Sequence, residues 1–354
     1  MNERIGHIVW IVTLAFVAAL TSCSVIDDDL SDCDKDYELN YELRLVTNMT
    51  TELQTQLSTE TEAVVANALS THLANVFSDY ARDVDLSFYD IGADDNRLHH
   101  EVATMNATQR SYTIYLPVQQ YMHLAAANLK DNNLVALAQD EHAKTAVLQQ
   151  KLATADNILP SHTTGVFTAR QPMEVLAGVD QTFNVKMYMA NCAAALVIDP
   201  RGNNAKSVKV YATGFATDFD VQDSTFVFPT QSPLIVAEPV TTADDGVYSF
   251  CSVNFPSREP ANAAASSRVV IETTDPFVAD DSTEELWQFQ VFVTNQDDTI
   301  TASTLSVRRP LRAGQLTIIK AYLTDDGAVY TDDHTVGVSV TLDWNKGGSY
   351  NVIT

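Results

Sequence analysis

The alternation of apolar and polar residues predicts that most of this chain is β-strand. Residues 37–47 (YELNYELRLVT) place an apolar side chain at every second position, with charged or amide side chains between them. A period of two puts the apolar side chains on one face, so this segment is predicted to be a half-buried strand. The same period returns in 84–90 (VDLSFYD) and 111–118 (SYTIYLPV), and the apolar run 121–129 (YMHLAAANL) follows.

Two segments depart from this period and predict helices. Thr59 and Glu62 have the spacing of a capping box, and apolar residues follow with the spacing of one helical face: Val65, Leu69, Val76, Phe77 and Tyr80. This pattern predicts a helix of about five turns between residues 59 and 82. Residues 133–152 carry Ala, Leu, Gln and Lys without clustered β-branched residues, which favours a second helix.

The second half of the chain predicts a sandwich of short strands. The polar segment from Pro160 to Pro172 is predicted to connect two domains, or to be a late loop of the first. Strand patterns separated by turn residues follow it and favour an antiparallel sandwich. They are 183–190, 194–199, 206–214, 247–255, 267–274, 285–294, 301–309, 315–324, 335–343 and 349–354.

The N-terminus has the layout of a signal sequence. An apolar run from Ile8 to Leu20 follows a short polar start, and it is well short of the roughly 20 apolar residues that span a bilayer. The segment Leu20-Thr21-Ser22-Cys23 is similar to a bacterial lipobox, so residues 1–22 are predicted to be removed and Cys23 to carry the lipid. The alternative is ordinary secretory cleavage nearby, with Cys23 incidental.

Three aspartates follow the predicted lipidation site. Asp27, Asp28 and Asp29 resemble the acidic export signal of Bacteroidetes surface lipoproteins. Alternatively they are a solvated linker, because clustered like charges repel one another and resist folding. Either interpretation makes residues 23–36 an acidic linker outside the core. Display on the cell surface is favoured over retention on the periplasmic side.

Charge and cysteine content exclude some functions. The formal net charge is −25, which disfavours nucleic acid and anionic lipid head groups. If Cys23 carries lipid, Cys33, Cys192 and Cys251 are the remaining cysteines, and they allow at most one intramolecular disulfide. The apolar surroundings of Cys192 and Cys251 favour buried, inert thiols instead.

The sequence contains no recognisable catalytic motif. It lacks a nucleophile elbow, a zinc-protease helix, a phosphate-binding loop and a dinucleotide fingerprint. His99 and His100 are adjacent on a predicted strand and would point to opposite faces, so a shared metal is not expected. The acid pairs 94–95, 244–245, 280–281 and 332–333 are typical of solvated turns. Trp287 is predicted to fill the core, and we expect no enzyme activity, cofactor or metal.

Several segments in a fixed order resemble one family. The cysteine of the lipobox and the acidic linker come first, followed by DLSDC (29–33), YELRL (41–45), VDLSFYD, YTIYLPVQQYMHLAAANL (112–129) and FNVKMYMANCAAALVI (183–198). Together they are similar to the FimB/Mfa-type fimbrial anchor lipoproteins of Bacteroidetes, in the fimbrillin-like superfamily. Residues 50–82 and 131–170 fit this family least well.

The resemblance implies a fold, a location and a partner. It implies two tandem transthyretin-like β-sandwich domains, residues 37–175 with a helical insertion near 59–82, and residues 176–354. It also implies a lipid-anchored outer-membrane protein that holds the base of a fimbria and limits its length. Because an incomplete sandwich leaves an edge that can accept a strand, strand exchange with fimbrial subunits is the predicted mechanism, with 349–354 (SYNVIT) as one candidate strand. The alternative function is a surface glycan-binding lipoprotein of a polysaccharide-uptake system, and an enzyme is the least favoured.

Replacing Cys23 with alanine is expected to abolish labelling by a fatty-acid probe, because the sulfur that accepts lipid is removed. Without acyl chains in the bilayer, the variant should leave the membrane fraction. Metabolic labelling and fractionation measure both effects, and Cys33→Ala is the matched control that should keep label and membrane association. Label retained without Cys23, or a mature chain that starts at another residue, would contradict the prediction.

Overall fold

The computed structural model describes most of the chain. Its described residues are 36–46, 63–74, 76, 81–92, 95–105, 111–151, 157–261 and 284–343. The signal segment, Cys23, the aspartates 27–29, Cys33 and the predicted strands 267–274 and 349–354 lie outside these ranges. Within them, no helix combines the length and apolar character needed to cross a bilayer.

The described part is mainly β, as the alternation predicted. Its helices are α1 (Ala63–Leu73) and a single 3-10 turn, Ala243–Asp245. Its strands are β1 (Asp36–Val46), β2 (Asp83–Asp90), β3 (Arg97–Thr104), β4 (Ser111–Pro117), β5 (Gln120–Ala127), β6 (Val135–Gln139), β7 (Ala146–Gln150), β8 (Ile158–Leu159), β9 (Phe167–Glu174), β10 (Thr182–Met189), β11 (Cys192–Asp199), β12 (Ser207–Thr213), β13 (Asp218–Asp220), β14 (Thr225–Val227), β15 (Leu234–Val236), β16 (Glu238–Thr241), β17 (Tyr248–Asn254), β18 (Trp287–Thr294), β19 (Ile300–Val307), β20 (Leu316–Leu323), β21 (Val329–Tyr330) and β22 (Val336–Asp343).

These strands form four sheets. Sheet A has the order β3-β2-β5-β9-β10-β1-β4 and sheet B the order β16-β17-β11-β20-β21. Sheet C has the order β22-β19-β18-β12-β15-β8 and sheet D the order β14-β13-β7-β6. Most neighbours are antiparallel, as predicted, but β1–β10, β11–β20 and β8–β15 are parallel. Parallel neighbours need long crossovers, which the local sequence pattern does not reveal.

Sheet A folds over itself into two facing layers. Strands β9 and β10 share a ladder of only two residue pairs, Tyr188↔Thr168 and Met189↔Phe167, which makes a corner. The hydroxyl of Tyr41 on β1 lies 2.6 Å from Nε2 of His123 on β5, although β9 and β10 separate these strands within the sheet. The first layer, β3-β2-β5-β9, therefore faces the second, β10-β1-β4, in a sandwich-like arrangement.

His123 has both ring nitrogens engaged inside this sandwich. Nδ1 lies 3.1 Å from the carbonyl oxygen of Ser87, and a carbonyl can only accept, so Nδ1 carries the proton and Nε2 accepts from Tyr41. The ring also stacks on Phe88 with centroids 4.2 Å apart. Burial lowers the pKa of His123 to about 4, and the hydrogen bond to Ser87 opposes this only partly. The neutral ring therefore belongs to the folded state.

Strand β11 of sheet B is covered on both faces from Cys192 to Ile198. Every residue from Cys192 to Ile198 is buried, and alternate side chains enter different cores. Ala193, Ala195 and Val197 join the core made with sheet A and α1, whereas Ala194, Leu196 and Ile198 join the core made with sheet C. A strand covered on both faces is apolar throughout, which explains the continuous run CAAALVI.

Residues 133–152 are not helical, and that prediction was wrong. They form β6 and β7 of sheet D, and Ala146, Leu148 and Gln150 are buried at every second position. Leu148 packs in a core with Phe219 and with Leu124 from the outer face of sheet A. This packing overrides a weak helical propensity, because helix preferences differ by less than 1 kcal/mol between ordinary residues.

Helix α1 is shorter than the five turns predicted. It ends at Leu73, while Thr59 and residues 77–80 lie outside the described ranges. Val65 and Leu69 are fully buried, as their spacing predicted. An alanine side chain at Gly165 would place its Cβ 2.0 Å from the carbonyl oxygen of Val76, so the segment that follows β8 can pass the helix end only with glycine there.

The segment from Pro160 to Pro172, predicted to connect two domains or to be a late loop of the first, is largely buried and ends in a strand. Residues 167–172 belong to β9, and Ser161 and His162 are buried. The backbone N–H of His162 donates to the carbonyl of Val253, whose own N–H donates to Oγ of Ser161 at 2.8 Å. Hydrogen bonds and buried apolar groups therefore fasten this segment to sheet B.

Asn191 fixes the point where the chain crosses from sheet A to sheet B. It lies between β10 and β11 and is fully buried. Its Oδ1 accepts the N–H of Val166 at 2.6 Å, its Nδ2 donates to Nδ1 of His162 at 2.8 Å, and its carbonyl accepts the N–H of Gly314. The strand before this crossing, β10, starts at Thr182 and belongs to sheet A. Sheet A therefore includes residues beyond the predicted domain boundary at residue 175.

The free energy of unfolding is expected to fall as pH decreases from 6.5 to 4. Burial lowers the pKa of both His123 and His162 to about 4, so the unfolded chain binds these two protons at a higher pH than the folded chain. Each histidine then removes about 1.4 kcal/mol per pH unit across this window, and above pH 6.5 its full contribution is present.

Denaturant unfolding at pH 7 and pH 5 measures this change. Aspartate and glutamate contribute mainly below about pH 4.5, so they interfere little. The matched control is His142→Gln at an exposed position, which should keep the same slope because water surrounds this side chain in both states. Equal free energies at the two pH values would contradict the prediction.

Candidate functional site

The outer edge of β22 is the longest open strand edge in the second half of the described chain. Its other side forms an eight-pair ladder with β19, from Val336↔Val307 to Asp343↔Ile300. No described strand pairs with the outer side. The edges formed by β8 and β21 are two residues long. An unpaired row of N–H and C=O groups of this length is able to bind another strand.

The core beside this edge is incomplete among the described residues. Val336, Val338 and Val340 alternate along β22 and share the inward face. Val336 is buried and Val338 packs partly against the core between sheets B and C, but both Val338 and Val340 keep intermediate exposure. An incoming strand would therefore gain backbone hydrogen bonds and cover apolar side chains that are now half-exposed.

Cys192 and Cys251 are buried, free thiols. Their side chains enter different cores, because Cys192 packs between sheets B and C and Cys251 packs toward sheet A. Burial raises the pKa of Cys251 to about 12 and also raises the pKa of Cys192. Both thiols are therefore protonated and unreactive near neutral pH. Cys33 lies outside the described ranges, so a disulfide that involves it stays a prediction.

His99 and His100 do not converge on one ion. Nε2 of His99 lies 3.5 Å from Glu101, whereas Nε2 of His100 lies 2.9 Å from Asp85 on the neighbouring strand. Within the described ranges, no three His, Cys, Asp or Glu side chains are grouped so that they could hold a metal ion.

The other residues singled out in the sequence have structural roles. Trp287 is buried and its Nε1 donates to the carbonyl of Arg309 at 2.9 Å, so the prediction of a core tryptophan is confirmed. Asp244 and Asp245 lie in the 3-10 turn, and Asp333 accepts the N–H of Thr335 in a turn before β22. Asp94, Asp280 and Asp281 lie outside the described ranges.

The sequence did not identify β22 as a strand with an open edge. Its period-two pattern is the same as that of the covered strands, and only the position at the end of sheet C distinguishes it. It also missed Asn191 and His162, because nothing in the local pattern shows that a polar pair joins two distant segments.

Comparison with solved structures assigns the fold. A candidate adhesin from Bacteroides ovatus superposes with a TM-score of 0.52 at 11% identity, covering 86% of this chain and 96% of that one. The fimbrial anchor protein Mfa2 from Porphyromonas gingivalis gives a TM-score of 0.45 at 11% identity, covering 87% and 98%. A fimbrial assembly protein from Parabacteroides distasonis gives 0.41 at 9% identity, covering 87% and 99%.

No family model matches the chain, and no curated protein matches it. The structural neighbours nevertheless include a fimbrial anchor, as the sequence resemblance suggested. The chain therefore shares the fold of the candidate adhesin from Bacteroides ovatus.

Proposed function

We propose that this chain is a non-catalytic outer-membrane lipoprotein that anchors a fimbria or serves as its accessory subunit. Lipid on Cys23 holds the mature chain at the cell, and Asp27, Asp28 and Asp29 direct it to the surface. Fimbrial subunits are its partners, and it needs no cofactor. The net charge of −25 argues against nucleic acid as a further partner.

The observation that carries this proposal is the open edge of β22. No strand among the described residues pairs with one side of this eight-residue strand, and its inward valines remain half-exposed. Main-chain hydrogen bonds would give an incoming strand its affinity, and the alternate side-chain positions would set its register. A fimbrial subunit that contributes such a strand would be held at a fixed site.

Attachment of the chain to the membrane completes the proposed anchoring mechanism. A subunit that is fastened to the membrane and accepts one strand ends a polymer at its base, so it retains the fimbria and limits its length. The fold shared with the Bacteroides ovatus candidate adhesin agrees with a surface role. We propose two tandem transthyretin-like domains: residues 37–175, which carry α1 as an insertion and whose sheet A is completed by β10, and residues 176–354, which carry β22.

Val340→Lys is expected to weaken retention of fimbriae on the order of tenfold and to release them into the medium. The new ammonium group would lie on the inward face of β22, where an added strand would bury it without a partner. The measurement is the amount of fimbrial subunit in the medium and in the sedimented cells of the native bacterium.

The matched control is Thr341→Lys, which puts the same charge on the exposed opposite face of the same strand. This variant should retain fimbriae like the parent protein, whereas deletion of the whole protein should release them. Fimbriae that stay cell-bound at normal length after deletion would contradict anchoring. Equal release by both lysine variants would contradict the β22 edge as the binding site.

A further inference from the structure

One face of sheet B changes from core to solvent along its strands. On β20, Leu316 is buried, Ile318 is partly buried and Lys320 is exposed on the same face. On the neighbouring β11, Val197 is buried and Asp199 is exposed. The covered end packs toward sheet A, and the uncovered end forms the floor of a groove of about 580 Å³.

Two arginine–carboxylate pairs line this groove, and each pair is termed one wall of it. On one wall Arg201 lies 4.0 Å from Asp199, and its guanidinium stacks 3.4 Å from the ring centre of Tyr322. On the other wall Arg309 lies 3.1 Å from Asp333. Both guanidinium groups are therefore held in place before any ligand arrives, which lowers the entropy cost of binding.

The groove has mixed but balanced charge. Three cationic side chains and three carboxylates line it, including Lys320 and Asp332 in addition to the two pairs. A ligand with a strong charge of either sign would find as much repulsion as attraction. A ligand rich in hydroxyl groups would instead find carboxylate acceptors and guanidinium donors, and its apolar face would contact the partly exposed Ile318 on the floor.

We infer that this groove is a binding site for a neutral oligosaccharide. A pyranose ring has an apolar C–H face and a rim of hydroxyls that both donate and accept, which matches an apolar floor between two donor-acceptor walls. The groove lies on a sheet face and not along a strand edge, so it offers no backbone ladder to an extended peptide. The site thus adds glycan recognition to the proposed fimbrial role and is separate from the β22 edge.

The test titrates the full mature protein with neutral oligosaccharides of glucose, mannose and xylose, and with sulfated and uronic acid oligosaccharides as the charged set. At least one neutral sugar is expected to bind, and Arg201→Ala is expected to weaken it about tenfold because one wall loses its donor. Asp332→Asn, at an exposed position, provides a second variant that should weaken binding without disturbing the core.

The matched control is Arg258→Ala. Arg258 also lies over an aromatic ring, 5.4 Å from the centre of Phe228, but it does not line the groove. This variant should bind sugar like the parent protein. The inference is overturned if no neutral sugar binds, if only charged sugars bind, or if all three variants bind equally. Arg201→Ala leaves β22 intact, so bacteria that carry this variant should keep their fimbriae cell-bound. A failure of the sugar-binding test would therefore leave the proposed anchoring role in place.

Discussion

The crossing of the chain from sheet A to sheet B at Asn191 is the constraint on which the rest of the structure depends. The side chain of Asn191 accepts from Val166 and donates to His162, and its carbonyl accepts from Gly314. Other arrangements of the chain here would leave polar groups of this buried amide unpaired, and each unpaired buried polar group costs about 1–3 kcal/mol. The end of β10 and the start of β11 are thereby held in a single arrangement.

This fixed crossing places β11 at the centre of sheet B with both faces covered. One face closes the core with sheet A and α1, and the other closes the core with sheet C. Two further strand pairings connect the N-terminal and C-terminal parts of the chain: β7 pairs with β13, and β8 pairs with β15. The two binding sites proposed above, the β22 edge and the uncovered end of sheet B, both lie at the periphery of this framework.

The sequence predicted individual strands well because burial on one face leaves a local signature. The pattern of Tyr37 to Thr47 contains everything needed to place β1, and ELWQFQVFVT predicts β18 with its buried Trp287. The sequence did not predict 133–152, because Leu148 gains its environment from Phe219, which is distant in the chain. Parallel pairing of β1 with β10 was hidden for the same reason.

Site properties were the least predictable from sequence. Val338 and Val340 look like any alternating valines, and their functional interest comes from the open edge and incomplete cover. Arg201 and Arg309 are far apart in the chain and line the same groove only when β11 and β20 pair. The net charge and the signal-like segment before Cys23, in contrast, depend only on amino-acid composition and on the order of residues along the chain. They could therefore be interpreted without knowledge of the fold.

Site-specific photocrosslinking in the native bacterium tests the central claim most directly. A benzophenone amino acid at Ser339, an exposed position on β22, should form a covalent adduct with a fimbrial subunit. The same group at Thr113, exposed on the edge strand β4 of sheet A, should form none. Adducts at Thr113 and none at Ser339 would contradict the account, because the fimbria would then be held by a different edge.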